Sequence, residues 1–353
     1  MMCRRHSLAA LICAACAVPG CAAAGDSATL HLRAQTESTD TVWGSSTHTF
    51  EHAELRWQYN APWQNALHGV FTAQHGGGNV VRINELSLER PLGAGFLTAG
   101  KKVMSWDVGY AFRPLDVVQQ EDRRALNPVT LEGVPMLAWE AFDADRAVTV
   151  VLSNPAHSIN SRRDQPRDDG SLAVRLYRQN GARDEYAVLR LSERSGVEGG
   201  VSFSQVAAPE FEVHGSVLLQ QRHDEWLASG PVSLQPGRRQ DWRRRSGGGK
   251  ALAGFTWTSE SKFSVLGEAW LDRTAVRQQQ RNVLLRAAQN SGDFDISADT
   301  LWQPQSSGSG RIGSVAVSWK PGPWLVSASL RHFGGAASAS VRNIAVATVR
   351  YSF

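Results

Sequence analysis

All four cysteines of this 353-residue chain fall within its first 21 residues, at Cys3, Cys13, Cys16 and Cys21. If cleavage follows Ala24, the mature chain has none, which excludes a disulfide framework, a thiolate metal site and a cysteine nucleophile. Long apolar runs are missing too. Beyond the N-terminal segment the longest resemble Ala147 to Leu152, far short of a membrane helix. There is no H-E-x-x-H, G-x-S-x-G or P-loop. His52-Ala53-Glu54 has the spacing of a deaminase motif without its partner cysteines. His223-Asp224-Glu225 is only an acidic cluster beside a histidine, a surface pattern more often than a hydrolase site. Charge of one sign is also scarce. The formal net charge is +4, about +2 without Arg4 and Arg5, so charge implies no nucleic-acid partner. The residues offer no catalytic set, no metal site and no cofactor motif.

What is present begins with an export signal. Arg4 and Arg5 precede the short apolar run Ser7 to Val18, and Ala22-Ala23-Ala24 supplies small residues for cleavage. Residues 1–24 therefore read as a secretory signal peptide, and 25–353 as the mature domain. Val18-Pro19-Gly20-Cys21 is a loose alternative lipoprotein signal that would put lipid on Cys21, with proline a poor fit inside it. An exported chain without disulfides must gain stability from extensive pairing. Its mean hydropathy of −0.29 suits strands that are apolar on one face only.

The last thirteen residues show that pattern best. Ala345, Ala347, Val349, Tyr351 and Phe353 fall on one face of a strand; Arg342, Thr348, Arg350 and Ser352 fall on the other, with Ile344 and Val346. A period of two is a β-strand signal. A terminal Phe353 with Tyr351 two residues before it resembles the last strand of bacterial outer-membrane β-barrels. In those proteins it is the assembly signal read by the barrel assembly machinery.

Alternation and turn residues give sixteen candidate strands. They lie near 28–37, 47–59, 64–75, 80–90, 95–105, 135–143, 146–154, 170–179, 184–193, 197–207, 210–222, 249–259, 261–273, 308–320, 322–333 and 341–353. Every second connection is tight and built from turn formers, as at 60–63, 91–94, 143–145 and 180–183. The others are often long: 106–134, 155–169, 223–248 and 274–307. Short periplasmic turns alternating with long outer loops characterise a transmembrane barrel. Aromatics near the short turns (Trp57, Tyr59, Trp63, Phe96, Phe211, Phe263, Trp319, Trp324 and Phe353) suggest a periplasmic girdle.

The inner row carries mixed charge: His52, Glu54, Arg56, His68, Arg175, Arg190, Glu212, His214, Arg222, Glu268, Asp272, Arg331, Arg342 and Arg350. Such a ring points to a water-filled interior, although each residue alone could serve a salt-bridge ladder in the wall. The segment 106–134 is too long and too aromatic to hang free in solvent. Folded into the pore, its Arg113, Asp116, Glu121, Asp122, Arg123 and Arg124 would form a charged constriction. Part of it carries a second resemblance. Gly100-Lys101-Lys102, Trp106 and Arg113-Pro114-Leu115-Asp116 resemble a stretch of some poorly characterised proteobacterial outer-membrane barrels, in which a strand end leads to Trp-Gly and a Pro-x-Asp loop. Here Asp107 replaces the Gly after Trp, and the match assigns no substrate. A basic loop with Arg238, Arg239, Arg243, Arg244 and Arg245 offers guanidinium forks to lipopolysaccharide phosphates.

These features predict an all-β, closed antiparallel barrel of about 16 strands in the cell outer membrane. The expected function is a porin, passing small polar solutes by passive diffusion through a lumen narrowed by 106–134. A closed structural or adhesive barrel that binds lipopolysaccharide or a partner is the alternative, and an outer-membrane hydrolase is a further one.

Overall fold

The computed structural model describes residues 26–61, 65–119, 121, 126, 130–158, 160, 168–226, 242–275, 279–304 and 308–353. The predicted signal segment 1–24 lies outside them. The described residues form eighteen antiparallel strands. In chain order these are β1 (Ser27–Thr41), β2 (Gly44–Ala61), β3 (Asn65–His75), β4 (Val80–Leu92), β5 (Gly95–Lys102) and β6 (Val134–Phe142). There follow β7 (Arg146–Ser153), β8 (Ser171–Asn180), β9 (Arg183–Ser192), β10 (Gly196–Ala208), β11 (Phe211–Trp226) and β12 (Trp242–Thr258). The circuit ends with β13 (Phe263–Asp272), β14 (Arg281–Ser291), β15 (Phe294–Gln303), β16 (Gly310–Trp319), β17 (Trp324–Gly335) and β18 (Val341–Ser352). Each strand pairs with its neighbours in sequence, and β18 pairs with β1, with Arg350 opposite Arg33 and Thr348 opposite Gln35. Closure leaves no sheet edge, which is what a strand protein needs in lipid.

The expected count of sixteen is corrected to eighteen. The segment 274–307, read as an outer loop, holds the hairpin β14–β15. Its turn is Gly292-Asp293, where Gly292 takes φ +59° at no steric cost. The strand at the basic segment also runs further than expected. Arg243, Arg244 and Arg245 sit in β12, paired with β11, and not in a loop; Arg238 and Arg239 fall outside the described residues. The outer connection between β1 and β2 is only Val42-Trp43, so outer connections are not uniformly long.

Cross-strand partners share a face, and faces alternate along each strand. One set is exposed and apolar: Leu137, Leu152, Leu172, Leu189, Val201, Leu219, Leu285, Ile296, Val315, Leu330 and Val349 among them. This is the lipid-facing band. The opposite set is buried and largely polar: Gln35, Thr72, Ser87, Thr149, Arg190, Glu198, Ser202, His214, Lys250, Glu268 and Ser314. This is the lumen wall. Outward aromatics gather at the short-turn ends, with stacked or edge-on contacts between Trp57 and Tyr59, Phe211 and Phe255, Trp257 and Phe263, Phe294 and Trp319, and Trp324 and Tyr351. Phe96 does not belong to this girdle. It pairs with Glu140 on the face of buried Thr149, and stacks on Phe142 at the inner side of the periplasmic rim. Trp63 lies outside the described residues.

Candidate functional site: the lumen and its inward loop

The connection from β5 to β6 folds into the barrel. Its first half is a small scaffold held by two carboxylates. Asp116 Oδ1 accepts the amides of Trp106 at 2.5 Å and Asp107 at 3.0 Å, and its Oδ2 accepts Ser105 Oγ at 3.0 Å. Asp107 Oδ2 accepts the amide of Leu115 at 2.8 Å, and its Oδ1 that of Val108 at 2.8 Å. Burial raises the Asp107 carboxyl above its usual range, against these amide contacts. Arg113 donates from Nε to the Gly109 carbonyl at 2.8 Å and from Nη1 to Ser105 Oγ, and sits 3.4 Å from Asp116. The sequence Trp106-Asp107…Arg113-Pro114-Leu115-Asp116 therefore closes on itself. Arg113 and Asp116 are engaged in building the loop.

The scaffold packs on a dry stretch of lumen wall. Trp106 and Leu115 are buried with Val134, Met136 and Ala138 of β6, Val151 of β7, Ala173 of β8, Val188 of β9 and Leu218 of β11. Apolar residues at lumen positions of these five strands would be costly against water, and here they bury the loop. The loop tip is then fastened across the barrel. Glu268 of β13, 2% exposed, accepts the amides of Tyr110 at 2.5 Å and Ala111 at 2.8 Å, and pairs with His214 Nε2 of β11 at 3.0 Å. Gly254 of β12 lies between them. A Cβ there would come within 2.4 Å of His214 Nε2, so only glycine leaves room for the contact. Phe112 stacks on Trp270 at 5.6 Å.

The returning limb is held at the outer rim. Asn84 Nδ2 donates to the carbonyls of Thr130 at 3.0 Å and Leu131 at 3.1 Å, and Thr130 Oγ1 donates to Glu54 Oε2. Lys101, buried, donates to Glu132 Oε1 at 2.6 Å, the Ile83 carbonyl at 2.8 Å and Ser158 Oγ at 3.0 Å. The predicted inward path of the loop is thus the observed one over its described residues. Glu121 is half-buried, and Asp122, Arg123 and Arg124 lie outside the described residues.

The predicted lumen charges divide into groups. Arg190 bridges Glu198 at 2.5 Å and Asp169 at 2.6 Å near the outer rim. Arg56 reaches Glu54 at 2.5 Å, Glu212 accepts Ser204 Oγ at 2.6 Å, and the Arg175 guanidinium lies 5.0 Å from the Tyr186 ring centre. These contacts stiffen the wall. Beside the loop tip, Arg331 Nε donates to Ser314 Oγ at 3.0 Å, and Arg286 lies 3.7 Å from Asp299 and over the Tyr110 ring at 5.4 Å. Tyr110, Leu126, Arg286, Asp299, Ser314 and Arg331 line a lumen cavity of about 190 Å³. Further round the wall, Arg350 of β18 lies directly opposite Arg33 of β1, and Arg33 directly opposite His52 of β2. Like charges directly opposite repel, so the Arg350–Arg33 pair favours an anion in front of it, with the Glu54 carboxylate of β2 on the same face as its nearby counter-charge. Sequence reading missed Arg33, Arg286 and Asp299. Arg33 was detectable, since His31, Arg33, Gln35 and Glu37 alternate with Leu30, Leu32, Ala34 and Thr36. At the outer end of β12, Arg244 stands 4.0 Å from Asp224, which also pairs with Arg194.

A closed barrel with an apolar outer band, an aromatic girdle and a loop fastened inside a polar lumen is the architecture of a Gram-negative outer-membrane β-barrel. Solved structures of such proteins share the fold. OccK8 (OprE) of Pseudomonas aeruginosa aligns with a TM-score of 0.65 at 9% identity, over 94% of this chain and 98% of its own. OccK2 (OpdF) of the same organism, solved in complex with glucuronate, gives 0.65 at 9% identity over 94% and 98%. OccAB3 of Acinetobacter baumannii gives 0.60 at 10% identity over 94% and 100%. No protein-family model matches the chain, and no curated protein matches it in sequence.

Proposed function

We propose that this chain is a passive outer-membrane channel for small polar solutes, selective for anions that carry a carboxylate. The observation that carries the proposal is the asymmetric lumen. The docked loop fills the side of β6 to β13, and the opposite wall presents Arg350 and Arg33 beside His52, while Arg331 of β17 stands higher up, opposite Ile344. A solute passing the loop tip meets Tyr110, Arg286, Asp299 and Arg331 together on the β14–β17 wall, with Arg350 and Arg33 further round it. An arginine fork matches a carboxylate bidentately, and aligned cations lower the barrier for an anion in a narrow pore. The glucuronate bound by OccK2 is a solute of this chemistry. In this reading the constriction is set by Tyr110, Arg286, Asp299 and Arg331, while Arg113 and Asp116 hold the loop in shape. The outer arginines Arg244 and Arg245 are proposed contacts for lipopolysaccharide phosphates at the rim.

Liposome swelling tests the selectivity. Vesicles carrying the refolded barrel should admit glucuronate faster than glucose of similar size, and the preference should vanish in the Arg33→Gln/Arg350→Gln double variant. Equal rates for the two sugars in the wild type would overturn the anion preference while leaving the channel itself standing.

A further inference from the structure

The outer wall carries a second site, at the periplasmic rim and away from the lumen. Around most of the barrel the short-turn ends present outward aromatics. On β7 to β9 they present arginines. Arg146 begins β7, Arg178 stands two residues before the end of β8, and Arg183 begins β9. Arg146 lies directly opposite Arg178, both exposed, and like charges in that register are unfavourable without a counter-ion. Glu185 of β9 stands directly opposite Arg178 on its other side, and is shared with Arg183. Glu185 is 3.1 Å from Arg183, and Asp145, in the turn below, is 3.7 Å from Arg146 with both side chains mostly in solvent. Arg178 has no ion-pair partner among the described residues.

Directly beside this cluster the lipid-facing wall is hollow. A groove of about 540 Å³ runs across β8 to β12, bounded by Leu176, Arg178, Arg183, Val201, Phe203 and Val217. Its floor is shallow because Ala187, Gly215 and Ala253 are small. Phe203 folds across Gly215, where a Cβ would meet its ring at 3.1 Å, and Arg183 covers the other face of that ring at 5.0 Å. A charged end next to an apolar trough has the shape of one lipid.

We propose that this groove holds a phospholipid of the periplasmic leaflet, its phosphate between Arg146 and Arg178 and one acyl chain along Ala187 and Gly215. Two guanidinium groups supply charge-assisted hydrogen bonds to the phosphate oxygens, and the chain replaces bulk lipid at a concavity that bulk lipid fills poorly. The site is independent of the channel reading, since none of these side chains faces the lumen.

The test is native mass spectrometry of the full barrel, refolded into vesicles of phosphatidylglycerol and phosphatidylethanolamine and extracted in mild detergent. Wild type should retain one phospholipid. Arg146→Gln/Arg178→Gln should retain it about tenfold less, the loss expected for a charge-assisted contact. Ala187→Phe, which fills the trough and leaves the arginines, should lose it as well. Heat-modifiable gel mobility confirms that each variant is folded. Equal retention by wild type and the folded double variant, or lipid-free pairs of barrels that dissociate in Ala187→Phe, would overturn the proposal, the latter by showing a second copy in the groove.

Discussion

At the scale of single residues, Glu268 holds the loop tip. It is buried, and it accepts two loop amides and His214. Glu268→Ala would leave those donors unsatisfied, at roughly 1–3 kcal/mol for each buried one. The loop tip should then leave the wall, and conductance should rise. Glu268→Gln keeps one acceptor oxygen and should fall between the two. Identical conductance in all three proteins would show that the tip is held by other contacts, such as the Phe112–Trp270 stack. Arg190 makes a contrasting case. Its removal as Arg190→Ala strands Glu198 and Asp169, with a cost of about 3 kcal/mol in stability and little effect on ion preference, to be read by denaturant unfolding and bilayer recording. Much of this was legible in the chain. The alternation in β9, β11, β13 and β18 identified Arg190, His214, Glu268 and Arg350 as inward-facing. What they touch was not legible, because Glu268 meets residues 157 and 158 positions away and the Arg33–Arg350 row exists only once the first strand closes on the last.

At the scale of elements, the hairpin β14–β15 shows why eighteen strands read as sixteen. Phe294, Ile296, Ala298, Thr300 and Trp302 alternate cleanly with Asp295, Ser297, Asp299, Leu301 and Gln303. The preceding Gln289-Asn290-Ser291-Gly292-Asp293 is dense in turn formers, and that density masked a strand end and a tight turn as loop. The inward loop had its own signal. Val151, Ala173, Val188 and Leu218 are apolar at lumen positions, where a wet pore has no use for them, and each packs with Trp106 or its neighbours in one cluster. Trp106→Ala should loosen that packing at a cost of about 3–5 kcal/mol to the docked loop. The expected readout is greater protease cutting within 103–133 while the barrel stays heat-modifiable; unchanged cutting would mean that the amide contacts to Asp116 and Glu268 suffice. The last strand makes a separate prediction. Phe353 packs on Tyr351, which packs on Trp324, all outward at the periplasmic rim. Phe353→Asp should lower the yield of folded barrel in the outer-membrane fraction, and an unchanged yield would remove the aromatic tail as an assembly element.

At the scale of the whole molecule, closure governs stability and function together. Pairing of β1 with β18 leaves no free edge, so unfolding must break the ring cooperatively, and the folded barrel should migrate faster than the boiled chain on gels. Closure also places the packed loop on one side of the lumen and the arginine row on the other, and the channel proposal rests on that division. Single-channel recording of the refolded barrel in planar bilayers tests it most directly. The wild-type barrel should give discrete current steps with a preference for anions, weakened or inverted by Arg33→Glu/Arg350→Glu. A folded, heat-modifiable barrel that gives no steps, and still none after Glu268→Ala frees the loop tip, would contradict it.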